Sequence, residues 1–254
     1  MGAPVSWILL FLAAIWAGAQ NALAGGGSFL TLPALMLTGL DPWSANITST
    51  LALFPGQINA GRAGLRGAAG VQTVSLRALM AVSVLGGVLG ALLLLLTPQS
   101  FFARLLPWLV LAATVLFAWG SFFRKPATSE RPTKPGLVLG AQLAIGVYGG
   151  YYGGGIGCLM LAALTVAGQS VRTAAATKNV LATVINGAAI ALFVFTPGLD
   201  FRRIAVLALG ALIGGFFGVY ALARVPERLL KRGIVGLGAL LTVALFVRQA
   251  MGGH

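Results

Sequence analysis

Apolar stretches of about 20 residues recur along this chain, separated by short polar turns. Crossing a hydrocarbon core of roughly 30 Å takes about 20 helical residues. Backbone in lipid must satisfy its own hydrogen bonds, which a helix does within one segment. The repeated runs therefore dictate an all-α polytopic membrane protein. Composition agrees, because 58% of the 254 residues are hydrophobic and 8% are charged. That leaves too little polar surface to clothe a soluble globule.

The formal net charge of +13 does not point to nucleic acid. The basic residues sit in small groups between apolar runs, as the positive-inside rule requires, and not along one soluble face. Cys158 is the single cysteine and His254 the single histidine, so an intramolecular disulfide and a Cys/His metal site are both excluded. No cofactor is expected. Trp7 to Ala24 resembles the apolar part of a secretory leader, but no basic residue precedes it. Its counterpart deep inside the chain marks it as a first membrane segment.

Hydrophobic runs fall near 5 to 24, 28 to 39, 43 to 61, 76 to 97 and 102 to 123, then near 137 to 152, 156 to 169, 174 to 195, 201 to 221 and 229 to 248. Between the sets lies a polar, proline-rich stretch with Arg124, Lys125, Glu130, Arg131 and Lys134. The organisation is a first membrane repeat (1–123), a cytoplasmic linker (124–136) and a second membrane repeat (137–254). Gly25-Gly26-Gly27 matches Gly153-Gly154-Gly155 at an offset of 128 residues, and at 129 Thr48 falls on Thr177 and Gln57 on Asn186. The 12 residues after the first glycines, Ser28 to Gly39, are too short to span alone. Each half thus reads as a glycine-broken re-entrant or short helix hairpin followed by three spanning helices.

Arg62, Arg66 and Arg77 mark one inside loop and the linker another. In the second half the basic loop is the later one, with Arg224, Arg228, Lys231 and Arg232. The halves then run in opposite directions, an inverted repeat, although Arg202 and Arg203 on the outer side run against that scheme.

Polar groups inside membrane segments are costly and mark candidate sites. The densest are Asn46, Thr48, Ser49 and Gln57 in the third segment, with Thr177, Lys178, Asn179 and Asn186 in its counterpart. Thr, Ser and Asn also act as interhelical hydrogen-bond glue, so both roles stay open. Lys178 either contacts an anion or snorkels to the interface. The four acids, Asp41, Glu130, Asp200 and Glu227, all lie at loops or segment ends, which disfavours a cation pathway. Gly25, Gly26, Gly27 and Ser28, with Gly153, Gly154 and Gly155, either admit tight helix crossing or let an anion approach backbone N–H groups at a half-helix start. Tyr148 and Tyr151, beside the second glycine run, line that cavity or join an aromatic belt. With no histidine, cysteine pair or carboxylate pair in the core, an enzyme finds no support.

Ala24 to Leu35, reading AGGGSFLTLPAL, resembles the first-half signature of the sulfite exporter TauE/SafE family, also called the toluene sulfonate uptake permease family. Ala45 to Thr50, Gly153 to Gly157 and Ala174 to Asn179 are similar to it too. The resemblance implies transport of sulfite, sulfonates or related anions across the bacterial inner membrane. Substrate contacts would lie at the glycine breaks and the matched third segments. The expected function is a multi-pass secondary transporter working by alternating access, with a passive anion channel of the same lining as the alternative. Its partners are the small anion, the lipid bilayer and a coupling proton or sodium ion. The sequence does not decide whether a homodimer forms.

Overall fold

The computed structural model describes residues 3–23, 26–119, 134–222 and 227–251. Gly25, Arg224 and the linker up to residue 133 lie outside the described residues. The chain is all-helical there, with one isolated β-bridge between Val71 and Val74. The helices are α1 (Ala3–Leu23), α2 (Ser28–Leu37), α3 (Pro42–Gly64), α4 (Leu76–Leu96), α5 (Gln99–Ala118), α6 (Pro135–Tyr151), α7 (Ile156–Val166), α8 (Val171–Phe193), α9 (Phe201–Leu222) and α10 (Glu227–Ala250).

Local chemistry explains where the site-bearing helices begin. Asp41 caps α3 by accepting from the backbone of Trp43 and Ser44, each at 3.0 Å, and Pro42 occupies the first helical position. Ser170 caps α8 by accepting from Thr173 N at 3.2 Å. Among the described residues α4, α5 and α8 are long and apolar enough to cross a membrane by length and composition. The comparably long α3 falls short of that standard because it carries the polar groups described below.

Packing is built on small residues, which let membrane helices approach closely. α1 and α9 run parallel, with Gly18 against Ala211 and Gly214 against Ile15. α4 and α6 do the same, with Gly86 against Gly146 and Gly90 against Val147. α3 and α8 run antiparallel, since Phe54 meets Gly187, Gln57 meets Asn186, Gly61 meets Thr183 and Gly64 meets Ala176. Exchanging α1–α5 for α6–α10 carries α1–α9 onto α6–α4 and α3–α9 onto α8–α4. The same exchange turns α2–α3 into α7–α8 and leaves α3–α8 in place. The packing also explains a repeated pattern that the sequence reading passed over. Gly86-Gly87-x-x-Gly90 recurs as Gly214-Gly215-x-x-Gly218, again 128 residues on.

Both short helices are tied at their far ends. Gln169 Nε2 donates to the carbonyls of Ala69 and Gly70 at 2.9 Å, and Gln72 Nε2 donates to Ala167 O at 3.2 Å. These bonds fasten the end of α7 to the α3–α4 loop. Arg203 donates to Thr38 O at 3.3 Å, joining the end of α2 to α9, and pairs with Asp200 at 3.3 Å. Its charge is therefore compensated locally, which weakens its weight as an orientation signal.

Candidate functional site

The chain reverses at two glycine-rich tips. In the first, Gly26 adopts φ +87°, a left-handed conformation natural only to glycine. Gln20 Nε2 donates to Gly26 O at 3.2 Å, and Gly27 N donates to Asn21 Oδ1 at 3.2 Å. A Cβ on Gly27 would stand 2.6 Å from Ala17 O, so α2 folds back along α1. The second tip has Gly153 and Gly155 at φ +75° and +74°, and Tyr148 Oη donates to Gly154 O at 2.8 Å. Both tips are held by side chains that reach back from the preceding helix.

The tips meet beside the α3–α8 crossing and enclose a cavity of about 40 Å³. A water needs at least about 10–15 Å³ of such space, so the cavity has room for a solute of a few atoms. From the tips come Asn21, Gly26, Ser28, Gly153, Ile156 and Gly157. α3 gives Thr50, Leu53, Gln57 and Ala60, and α8 gives Lys178, Asn179, Ala182 and Asn186. The spacing of 3, 4 and 3 in α3, and of 4 and 4 through Lys178, Ala182 and Asn186, is one stripe of each helix.

Lys178 dominates the electrostatics. It is 3% exposed, and among the described residues it makes no hydrogen bond or ion pair, the ion pair found there being Arg203 with Asp200. An isolated buried ammonium is costly, so an anion in this cavity is strongly favoured. Two half-helices add to the field, because α2 and α7 both start at its wall. The backbone N–H groups of Ser28 and Gly157 make no hydrogen bond among the described residues. Asn21 and Gln57 have their carbonyl oxygens engaged by Gly27 N and Asn186 Nδ2, which leaves their amino groups as donors.

A larger cavity of about 560 Å³ adjoins the first and shares Asn21, Leu53, Gln57, Ala60 and Asn179 with it. It lies between α1, α3 and α9, reaches Ala63 and Phe216, and so runs toward the end of α3 marked by exposed Arg62 and Arg66. Gly56 and Gly215 face it. The exchanged seam is shut, since a Cβ on Gly87 of α4 would lie 2.6 Å from Ile185 O of α8. At Gly215 the nearest atom to such a Cβ is Gly18 O, 3.8 Å away, and nothing from α3 comes within 4 Å.

Of the residues singled out from sequence, Gly26, Ser28, Gln57, Gly153, Lys178, Asn179 and Asn186 share this cavity. Others hold the scaffold around it. Asn46 Nδ2 donates to Tyr151 O at 3.1 Å, and Ser49 Oγ lies 2.6 Å from Thr31 Oγ1. Thr177 is bonded to both backbone groups of Ala69 at 3.1 and 3.2 Å, Tyr151 stacks edge-on with Phe102, and Thr48 is buried. Gly27, Gly154 and Gly155 shape the tips without lining the cavity. Asn21 and Thr50 were not anticipated. Asn21 looked like the end of an apolar run, and Thr50 like one more hydroxyl beside Ser49.

The family model for the sulfite exporter TauE/SafE matches residues 10–245. The chain belongs to this family. TauE/SafE relatives among curated proteins are similar over nearly their whole length. One is a probable membrane transporter protein of Haemophilus influenzae, 29% identical over 95% of this chain and 94% of that protein. Another is the probable membrane transporter protein ORF9 of a Sinorhizobium species, 31% identical over 94% and 90%. The probable membrane transporter protein YfcA of Escherichia coli is 27% identical over 96% and 91%. No solved structure matches the chain. TauE/SafE membership and the apolar helices together identify a membrane protein of a transporter family.

Proposed function

We propose that this chain is a secondary transporter that moves a small organosulfur anion, such as sulfite or a sulfonate, across the bacterial inner membrane by alternating access. The observation that carries the reading is the unpaired, buried Lys178 in a cavity bounded by two half-helix starts. Such a cavity suits an oxyanion, and the family's description directs the choice to sulfur oxyanions.

Alternation draws support from the packing. Equivalent helices that cross antiparallel, as α3 and α8 do, fit a two-fold axis lying in the membrane plane, which is an inverted repeat. The α3–α9 seam is open toward Arg62 and Arg66, the end the charge rule assigns to the cytoplasm, while its exchanged partner is shut. Exchanging the two seams gives the opposite state without a new fold. Hairpin α1–α2 with α9, and hairpin α6–α7 with α4, are the bodies that would move.

Purified protein in liposomes tests this directly, with sulfite, sulfate, thiosulfate and a short alkanesulfonate as solutes. Saturable uptake of sulfite or the sulfonate, accelerated by the same anion on the far side, is expected. Acceleration from the far side separates a carrier from a passive channel. Repeating the assay with imposed proton and sodium gradients identifies the coupling ion. Absence of flux for all four anions in folded protein would remove the substrate assignment.

A further inference from the structure

The α3–α8 crossing holds an amide pair with an unusual remainder. Asn186 Nδ2 donates to Gln57 Oε1 over 2.6 Å, and both side chains line the small cavity. Asn186 is 4% exposed, and its Oδ1 has no hydrogen-bond partner among the described residues. Their mutual bond uses one oxygen and one amino group of the two amides. Turning both amides over reverses the roles but leaves the same remainder, one free oxygen and one free amino group. In either orientation the pair presents a buried acceptor to the cavity. Thr50 adds a second, because its hydroxyl hydrogen is committed to Asn46 O at 2.9 Å and only lone pairs remain.

These acceptors stand opposite a wall of donors made by Lys178, the amide of Asn21 and the N–H groups of Ser28 and Gly157. A fully deprotonated oxyanion would satisfy the donors, yet it would press oxygen against oxygen at the amide pair. We infer that the transported anion carries a hydrogen-bond donor of its own, an O–H or N–H beside its anionic oxygens, and that the Gln57–Asn186 pair selects for it. This rests on reading the cavity as an anion site. Two sources share the chemistry, a singly protonated inorganic oxyanion and a short hydroxy- or amino-substituted sulfonate. A site that bonds a substrate hydroxyl strongly rejects the analogue lacking it, since its own buried group is then left unpaired.

The test compares the affinity of the purified protein for ethanesulfonate and 2-hydroxyethanesulfonate, which differ by one hydroxyl. The hydroxylated anion is expected to bind at least about tenfold tighter. In the double variant Gln57→Met with Asn186→Leu that ratio should fall below about twofold, and if the double variant does not fold, Asn186→Leu alone carries the comparison. Sulfite titrations at two pH values supply the inorganic arm. Affinity that tracks the singly protonated species supports the inference, and affinity that tracks the dianion overturns it. Equal affinity of the native protein for both sulfonates overturns it as well, while leaving the anion site standing. No binding of any of these anions would overturn both readings together.

Discussion

Replacing Lys178 with methionine should lower anion affinity and transport by roughly 30-fold to several thousand-fold. That range corresponds to the 2–5 kcal/mol lost when one partner of a buried, hydrogen-bonded charge pair is removed. Methionine matches the lysine stem in shape, and the ammonium has no protein partner to leave orphaned. The empty protein should therefore gain stability, because a buried unpaired charge is removed. Flux measured in liposomes and the thermal midpoint in detergent should move in opposite directions. Unchanged flux would show that Lys178 does not touch the anion. A lower midpoint would show that the lysine is structural.

Gly215→Leu should leave the fold intact and stop transport. Nothing lies closer than 3.8 Å to a Cβ at this position, so the side chain fits the open seam. In the exchanged state that seam would be closed, as its partner is now at Gly87 and Ile185. A leucine there would overpack it by about 1–3 kcal/mol, which corresponds to roughly a 5- to 150-fold loss of the closed population. Gly87→Leu should act in the opposite sense. Its Cβ would meet the backbone oxygen of Ile185 at 2.6 Å, which no rotamer change relieves, so the now-shut seam must open. Transport should fall for both variants, whereas binding is retained and only Gly87→Leu shifts the thermal midpoint substantially. A passive channel would conduct through Gly215→Leu, because that substitution does not fill the site.

Helix boundaries were largely legible in the sequence because apolar length and glycine or proline punctuation set them directly. The run near 43 to 61 became α3 (Pro42–Gly64), and that near 174 to 195 became α8 (Val171–Phe193). The glycine breaks were legible for a similar reason, since left-handed backbone at Gly26, Gly153 and Gly155 needs glycine. The site was only partly legible. Polar residues clustered in sequence were grouped together, yet one step along a helix turns a side chain by about 100°. Thr177 therefore faces the Ala69 loop while Lys178 faces the cavity. Ser49 faces α2, and its neighbour Thr50 lines the site. Reading α3 as a stripe through 50, 53, 57 and 60 would have made that separation. The self-pairing of Gln57 with Asn186 lay beyond any linear reading, because a matched offset shows equivalence and not contact.

The most direct test of a midplane site that opens alternately is side-specific labelling of Ser28→Cys, placed in a Cys158→Ala background to remove the single native thiol. A membrane-impermeant maleimide is applied to right-side-out and to inside-out vesicles, with and without a saturating alkanesulfonate. The expected result is labelling from both sides, slowed by the sulfonate in each case. Labelling from one side only, or at a rate the sulfonate does not change, would contradict a shared anion site between the two hairpins.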